Sequence, residues 1–127
     1  MRTSTTTVPK SNRSRVLSLA VTEAAKRMKI GPTDLGLIIG FSQPTSSRLL
    51  RDQFAIPEGG KEWELSAHFV RLYRSLSSMV AGDDTLIESW LKSPNKAFGQ
   101  QIPLNYIKRV DGLIHACNYL DAHRATV

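Results

Sequence analysis

Apolar residues recur at helical spacing along most of this chain, and this pattern most constrains the fold. Between residues 61 and 80, one face of a helix would collect five apolar side chains: Leu65, Phe69, Leu72, Leu76 and Met79. Similar stripes predict helices over residues 14–29 and 108–122. No segment alternates apolar and polar residues over the length of a strand, and no Asn-Gly or Asp-Gly lies between two strand-like runs. We therefore expect an all-α fold with few or no strands.

A helix-turn-helix is predicted between the first two stripes. Gly31-Pro32 breaks the chain and begins a helix at about Pro32. Gly40 is suited to end that helix, because glycine adopts the left-handed conformation without a Cβ penalty. Ser42 is suited to cap the next helix, and Pro44 lies in its first turn, where a missing N–H does no harm. The alternative is an ordinary helical hairpin with a polar face.

The second helix of this motif offers short polar side chains and cations, which suit base edges and phosphates in a DNA major groove. The residues that we expect to contact DNA are Gln43, Thr45, Ser46, Ser47, Arg48 and Arg51.

The distribution of charge supports this expectation. The chain of 127 residues has a net charge of +6. Residues 1–51 contain nine Lys or Arg against Glu23 and Asp34, a net charge of +7, whereas residues 52–127 contain eight basic and nine acidic residues, a net charge of −1. The whole basic excess thus lies in the half that carries the predicted helix-turn-helix, as expected if that half meets DNA phosphates.

We divide the chain into three parts. Residues 1–13 have almost nothing to bury and are predicted to be a disordered basic tail, which either follows DNA or is merely solvated. Residues 14–60 form the helix-turn-helix DNA-binding region and end in a loop marked by Pro57 and Gly59-Gly60. Residues 61–127 form a second helical region, with the long helix followed by a compact group of short helices.

Three short segments are predicted after the long helix. Asp83 or Asp84 is suited to cap a helix that runs through Leu91. Ser93-Pro94 is expected to begin the next segment as a cap followed by proline, and Gly99 to end it. Pro103 is expected to open the third.

Nothing in the sequence indicates catalysis, a metal site or a cofactor. The histidines His68, His115 and His123 are spread out, and no phosphate-binding loop, dinucleotide turn or nucleophile elbow is present. Cys117 is the single cysteine, so no intrachain disulfide forms and a reducing cytosol is expected. No apolar run reaches the length of a membrane span, and the N-terminus lacks the apolar core of a signal peptide. We expect a cytoplasmic protein that is not an enzyme.

The run from residue 90 to residue 104 resembles the toxin-binding domain of the Xre/MbcA/ParS-like bacterial antitoxins. That pattern has a Trp-Leu pair, then Pro-Asn, a glycine, and Pro-Leu before a final helix. The matching residues are Trp90, Leu91, Pro94, Asn95, Gly99, Pro103 and Leu104. Many members have a second glycine where this chain has Gln100, and an acidic residue where it has Asn105. A preceding long helix and helix-turn-helix are also family features, so the resemblance covers about residues 15–124.

The resemblance implies a protein partner. Antitoxins of this type pair with RES-domain or ParT-like toxins, which consume NAD or transfer ADP-ribose. The antitoxin blocks the toxin's active-site cleft, commonly with its C-terminal end, and the complex represses its own promoter. The residues that would contact the toxin here are Tyr119, Asp121, His123 and Arg124, with Arg124 pairing with a catalytic carboxylate or occupying a phosphate subsite. The alternative is a fraying terminus with incidental polar residues.

A second function also fits the residues. The chain would then be a stand-alone helix-turn-helix regulator whose C-terminal half only dimerises or senses a ligand. Both hypotheses predict operator binding, with the protein as a homodimer on an inverted repeat.

Overall fold

A computed structural model describes residues 11–125, and this part of the chain is all-helical, which confirms the predicted fold class. Its α-helices are α1 (Asn12–Met28), α2 (Pro32–Ile39), α3 (Gln43–Leu50), α4 (Lys61–Met79), α5 (Asp84–Lys92), α6 (Pro103–Tyr106) and α7 (Val110–Ala125). A single 3₁₀ turn, Lys96–Phe98, lies between α5 and α6. Within residues 11–125 the only β-type pairing is one isolated bridge, between Asn95 and Gln101.

The N-terminal helix begins two residues earlier than predicted. Ser11 caps α1, because its side chain accepts a hydrogen bond from the backbone N–H of Ser14 at 3.0 Å. Most of the predicted basic tail, residues 1–10, lies outside the described residues.

The turn between α2 and α3 has the predicted chemistry. Gly40 has a φ of 93° and ends α2, and Ser42 caps α3 by accepting from the N–H of Thr45 at 3.3 Å. Pro44 lies in the first turn of α3. These three residues confirm a short helix, a three-residue turn and a second short helix.

Gly36 allows α2 and α3 to approach closely. A Cβ atom at Gly36 would lie 2.4 Å from the carbonyl oxygen of Phe41 and 2.9 Å from Oγ of Ser46. The first of these atoms belongs to the backbone, so it cannot move aside as a side chain would. Glycine at this position therefore sets the separation of the two helices.

The two halves of the chain share one hydrophobic core, with α4 at its centre. This helix packs against α1, α2 and α7. Its residues Phe69, Leu72 and Leu76 are completely buried. A salt bridge of 2.9 Å between Lys108 and Asp34 also joins the start of α2 to the segment before α7.

The loop between α3 and α4 is fixed to α1 by two serines. The hydroxyl of Ser14 donates to the carbonyl of Ile56, and the hydroxyl of Ser18 accepts from the N–H of the same residue at 2.9 Å. The Ile56 side chain is completely buried. The sequence predicts a loop here, but not that it contributes to the core.

The segment between α5 and α6 differs in one respect from the prediction. Asp83 caps α5 as expected, by accepting from two backbone N–H groups. Ser93, however, follows α5 and does not cap the next turn. Asn95 does so, because its side-chain oxygen accepts from the N–H of Ala97 at 2.9 Å. Gly99 ends that turn with a φ of 64°.

The closeness of α2 and α3 gives a first prediction. Gly36→Ala should lower the free energy of unfolding by about 1–3 kcal/mol, because the added methyl group would overlap the carbonyl oxygen of Phe41. Chemical denaturation followed by circular dichroism measures this change. Gly31→Ser is the matched control, since a Cβ there meets no atom within 4 Å and serine is a good cap for α2. An equal loss in both variants would contradict the packing argument.

Gln100 gives a second prediction. Its φ is 67°, a left-handed conformation that glycine adopts without strain, and it occupies the position where the resembling family often has a second glycine. Gln100→Gly should therefore raise the free energy of unfolding by about 0.5–1 kcal/mol, measured by denaturation.

The neighbouring Gln101→Gly variant provides the control for Gln100. Gln101 does not have a positive φ, and its side chain donates to the carbonyl of Phe98 at 3.2 Å. Glycine at residue 101 should lower stability, and stabilisation by both substitutions would rule out relief of strain.

Candidate functional site

The outward face of α3 presents most of the residues that the sequence assigns to DNA contact. Gln43, Arg48 and Arg51 are exposed, and Thr45 and Ser47 are half-buried. The guanidinium of Arg48 donates to Oγ1 of Thr45 at 3.1 Å, and Nε of Arg51 donates to the carbonyl of Ser47 at 3.3 Å. These local bonds orient both cations along the helix surface and leave guanidinium donors for a further acceptor.

Ser46 is the exception among these residues. It is completely buried, it faces α2 at Gly36, and its hydroxyl has no hydrogen-bond partner among the residues described. One face of a short helix must pack against the core, and Ser46 lies on that face together with Leu49. The structure therefore removes Ser46 from the predicted DNA-contacting residues.

Part of the basic excess of the N-terminal half is neutralised by ion pairs within the chain. Arg27 pairs with Glu23 at 2.8 Å and with Asp84 at 3.3 Å, and Lys29 pairs with Glu88 at 3.3 Å. Asp84 and Glu88 belong to α5, so these pairs join α1 to the C-terminal half. The pKa of the Glu88 carboxyl is lowered by hydrogen bonds from Lys92 and Lys29.

Arg13 pairs with Glu58 at 3.1 Å, and four other described cations of this half point outward. Arg15, Lys26, Arg48 and Arg51 are exposed, and none forms an ion pair with another residue in the 11–125 range. Two of the four belong to the α3 surface. The charge that is free to attract phosphate is thus smaller than the sequence count indicates, but it includes the helix predicted to contact DNA.

Asp121 fastens the end of α7 to α4. One oxygen of its carboxylate accepts from Nε of Arg71 at 2.8 Å, and the other accepts from the hydroxyl of Ser75. The Ser75 hydroxyl and the Arg71 guanidinium hold the pKa of this carboxyl below its usual value. The stabilisation is therefore present at neutral pH and is lost as the pH falls through the lowered pKa. Asp121, predicted to contact a toxin, is already occupied within the fold.

The other three residues predicted to contact a toxin lie around the last turn of α7. The rings of Tyr119 and His123 are in contact, with their centres 4.1 Å apart and their planes tilted by 37°, and Nδ1 of His123 lies 3.0 Å from the carbonyl oxygen of Tyr119. The Arg124 side chain is 49% exposed, and its guanidinium lies 4.0 Å from the Asp121 carboxylate. The structure thus brings an aromatic pair and an accessible cation together at one end of the helix.

The residues of the Trp90-to-Leu104 run build a platform beside α7. Leu91 and Pro103 are buried, Trp90 and Leu104 are half-buried, and Pro94 is exposed. Asn95 and Gly99 have the cap and turn roles already described. The run therefore shapes the chain, as its proline, glycine and asparagine content indicates.

Phe98 is the centre of this platform, and the sequence reading did not single it out. Its side chain is buried and contacts four aromatic rings, those of Trp90, Tyr106, His115 and Tyr119, with ring centres 4.9 to 5.9 Å away. The hydroxyl of Tyr106 also lies 2.7 Å from Nδ1 of His115. The only local indication that Phe98 is important is its position just before Gly99. The rings that surround it come from three other segments of the chain, so their contacts with Phe98 are not evident from the sequence.

Cys117 is buried, and its surroundings disfavour the thiolate form. Burial raises the pKa of its thiol to about 11, and the thiol donates to the carbonyl of His68 at 3.2 Å. In the described part of the chain, no group of three or more His, Cys, Asp or Glu side chains is placed to hold a metal ion. No described helix is both long and apolar enough to cross a membrane.

The comparison with protein families gives one match. Residues 76–125, from the last turn of α4 through α7, match the model of the antitoxin Xre/MbcA/ParS C-terminal toxin-binding domain. A search of the curated proteins finds no significant match to the chain. The matched region includes the platform around Phe98 and the exposed end of α7. Over residues 76–125 the chain is therefore similar to the C-terminal toxin-binding domain of the Xre/MbcA/ParS antitoxins.

Proposed function

We propose that this chain is the cytoplasmic antitoxin of a type II toxin–antitoxin system. It blocks a RES-domain or ParT-like toxin that consumes NAD or transfers ADP-ribose, and it represses its own operon by binding operator DNA. The protein acts as a homodimer within a larger toxin–antitoxin complex. The observation that carries this proposal is the match of residues 76–125 to a toxin-binding domain.

The end of α7 is the part that enters the toxin's cleft. A cleft that binds NAD must accommodate a pyrophosphate, and a guanidinium placed there would pair with catalytic carboxylates or fill the space of the substrate. Arg124 carries an accessible positive charge, and the contacting rings of Tyr119 and His123 provide aromatic surface at the same end of the helix. Asp121 has a different role in this proposal: its bonds to Arg71 and Ser75 hold the last turn of α7 in position.

Operator binding is assigned to α3. In a helix-turn-helix, the second helix lies in the major groove and side chains on its outer face contact base edges. Gln43 and Arg48 are the exposed residues suited to base contacts, while Thr45, Ser47 and Arg51 are suited to phosphate or sugar contacts. The guanidinium groups of Arg48 and Arg51 form no ion pair with another residue in the 11–125 range, which supports this assignment.

The alternative function is that of a transcriptional regulator without a toxin partner, and one experiment distinguishes it from an antitoxin. An antitoxin should co-purify in a stable complex with the product of the adjacent gene, and its expression should permit growth of cells that produce that toxin. A stand-alone regulator would bind DNA equally well without such a partner. Co-expression of the two genes, followed by size-exclusion chromatography, separates the two functions.

The exposed cation of α7 gives a third prediction. Arg124→Ala should reduce protection against the toxin by about tenfold or more, because it removes a charge-assisted contact in the cleft without altering the core. Inhibition of NAD consumption by the purified toxin, titrated with the antitoxin, measures the loss. Deleting residues 121–127 is less specific, because it also removes the bonds of Asp121 to α4.

Lys96→Ala is a suitable control for Arg124. Lys96 is an exposed cation in the 3₁₀ turn that forms no ion pair with another described residue. The Lys96→Ala variant should inhibit the toxin to the same extent as the original chain. Full inhibition by Arg124→Ala would refute the assignment of this residue to the cleft.

The α3 surface gives a fourth prediction. Arg48→Ala should weaken binding to the operon's promoter DNA by about 1–3 kcal/mol if Arg48 reads a base. Fluorescence anisotropy at fixed salt concentration measures this affinity. Ser46→Ala, in the same helix, should leave it unchanged because Ser46 is buried. Undiminished binding by Arg48→Ala, or a loss in Ser46→Ala without a loss of stability, would place the DNA contact elsewhere.

A further inference from the structure

An open groove runs between α1 and α4 and reaches the end of α7. Its volume is about 620 Å³, and its floor is apolar: Val16, Leu17, Ala20, Trp63, Ala67 and Val70. The side chain of Val16 is 59% exposed although it lies beside Trp63 in this floor. An apolar groove rimmed by charged side chains is a candidate interaction site.

Arginine side chains lie at both ends of this floor. At one end, the guanidinium carbon of Arg13 lies 5.4 Å from the centre of the Trp63 ring. At the other end are Arg71, Arg74 and Arg124. Trp63 and Arg74 are eleven residues apart on α4, which corresponds to about 16 Å along the helix. We call the whole feature the arginine-rimmed groove.

The carboxylates near the rim do not balance its cations. Arg13 pairs with Glu58 at 3.1 Å, and Asp121 pairs with Arg71 and lies 4.0 Å from Arg124. Arg74 forms no hydrogen bond or ion pair with another residue in the described range. Among the residues described, the four guanidinium groups of the rim have only two carboxylates as partners, which leaves the described part of the rim positively charged.

This charge decides what can cover the floor. A second copy of the same surface, placed against the first by a two-fold axis, would bring two sets of arginines together and be disfavoured. A fatty acid anion could cover the floor, but it has one charged end, whereas the groove has cations at both ends. An amphipathic helix with three turns has the required length, an apolar stripe, and room for acidic residues at each end.

We propose that the arginine-rimmed groove binds an acidic amphipathic helix of a partner protein. The apolar stripe of that helix packs on Val16, Trp63 and Val70. Its acidic residues pair with Arg13 at one end and with Arg74 at the other. The interaction does not require the end of α7 to enter a toxin, so it stands apart from the function proposed above.

A synthetic peptide tests this proposal with the full chain. The probe is a fluorescent 16-residue helix with leucines at i, i+3, i+4 and i+7 spacing and glutamates at both ends; the matched peptide has lysines in their place. Fluorescence anisotropy should give micromolar binding of the glutamate peptide and binding at least about tenfold weaker for the lysine peptide. Arg74→Glu and Val16→Asp should each lower the affinity for the glutamate peptide by about tenfold or more.

Lys96→Glu is the matched control, because it makes the same change of charge at an exposed residue that does not line the groove. It should bind the glutamate peptide as the original chain does, and thermal unfolding of each variant checks that it is folded. Equal binding of the two peptides, or full affinity in Arg74→Glu, would overturn the proposal.

Two further outcomes would assign the groove to another occupant and also overturn the proposal. The first is a dimer of the free chain in analytical ultracentrifugation that Val16→Asp converts to a monomer. The second is binding of dodecanoate, abolished by Arg74→Glu, in a chain that does not bind the glutamate peptide.

Discussion

The packing of α4 against helices from both halves of the chain is the interaction on which the remaining structure depends. Phe69, Leu72 and Leu76 are buried in a single core, so neither the α2–α3 pair nor α7 has a hydrophobic core of its own. The short helices would not be stable alone, since an isolated eight-residue helix loses more conformational entropy than its hydrogen bonds offset. Their geometry, and therefore the direction in which α3 and α7 present their outer faces, follows from their contacts with α4.

The sequence predicts the helices well because apolar periodicity and capping residues are local signals. The α4 stripe, the Gly40–Ser42 turn and the Asp83 cap are each encoded within a few neighbouring residues. The sequence does not predict which side of α3 is buried, because two leucines in eight residues are too few to define an apolar face. The rotation of α3 about its axis depends instead on its close packing against Gly36 of α2. Ser46 was assigned to the wrong face for this reason.

Contacts between distant residues were equally invisible in the sequence. Arg71 and Asp121 are fifty residues apart, and only the packing of α7 on α4 brings them together. The same is true of the rings around Phe98, which belong to separate segments. The family pattern located the platform but gave no reason for its aromatic residues. The basic residues of the N-terminal half have two different roles. Arg27 and Lys29 form ion pairs with the C-terminal half, whereas Arg48 and Arg51 face outward.

The shared core has a consequence for how the protein would be turned over in a cell. Two separate domains could be degraded one at a time, and each activity would then have its own half-life. Here a protease that gains access by unfolding α4 removes the α3 surface and the α7 surface in one event. If the two surfaces have the functions proposed above, loss of repression and release of the toxin are synchronised by the folding cooperativity of one small core.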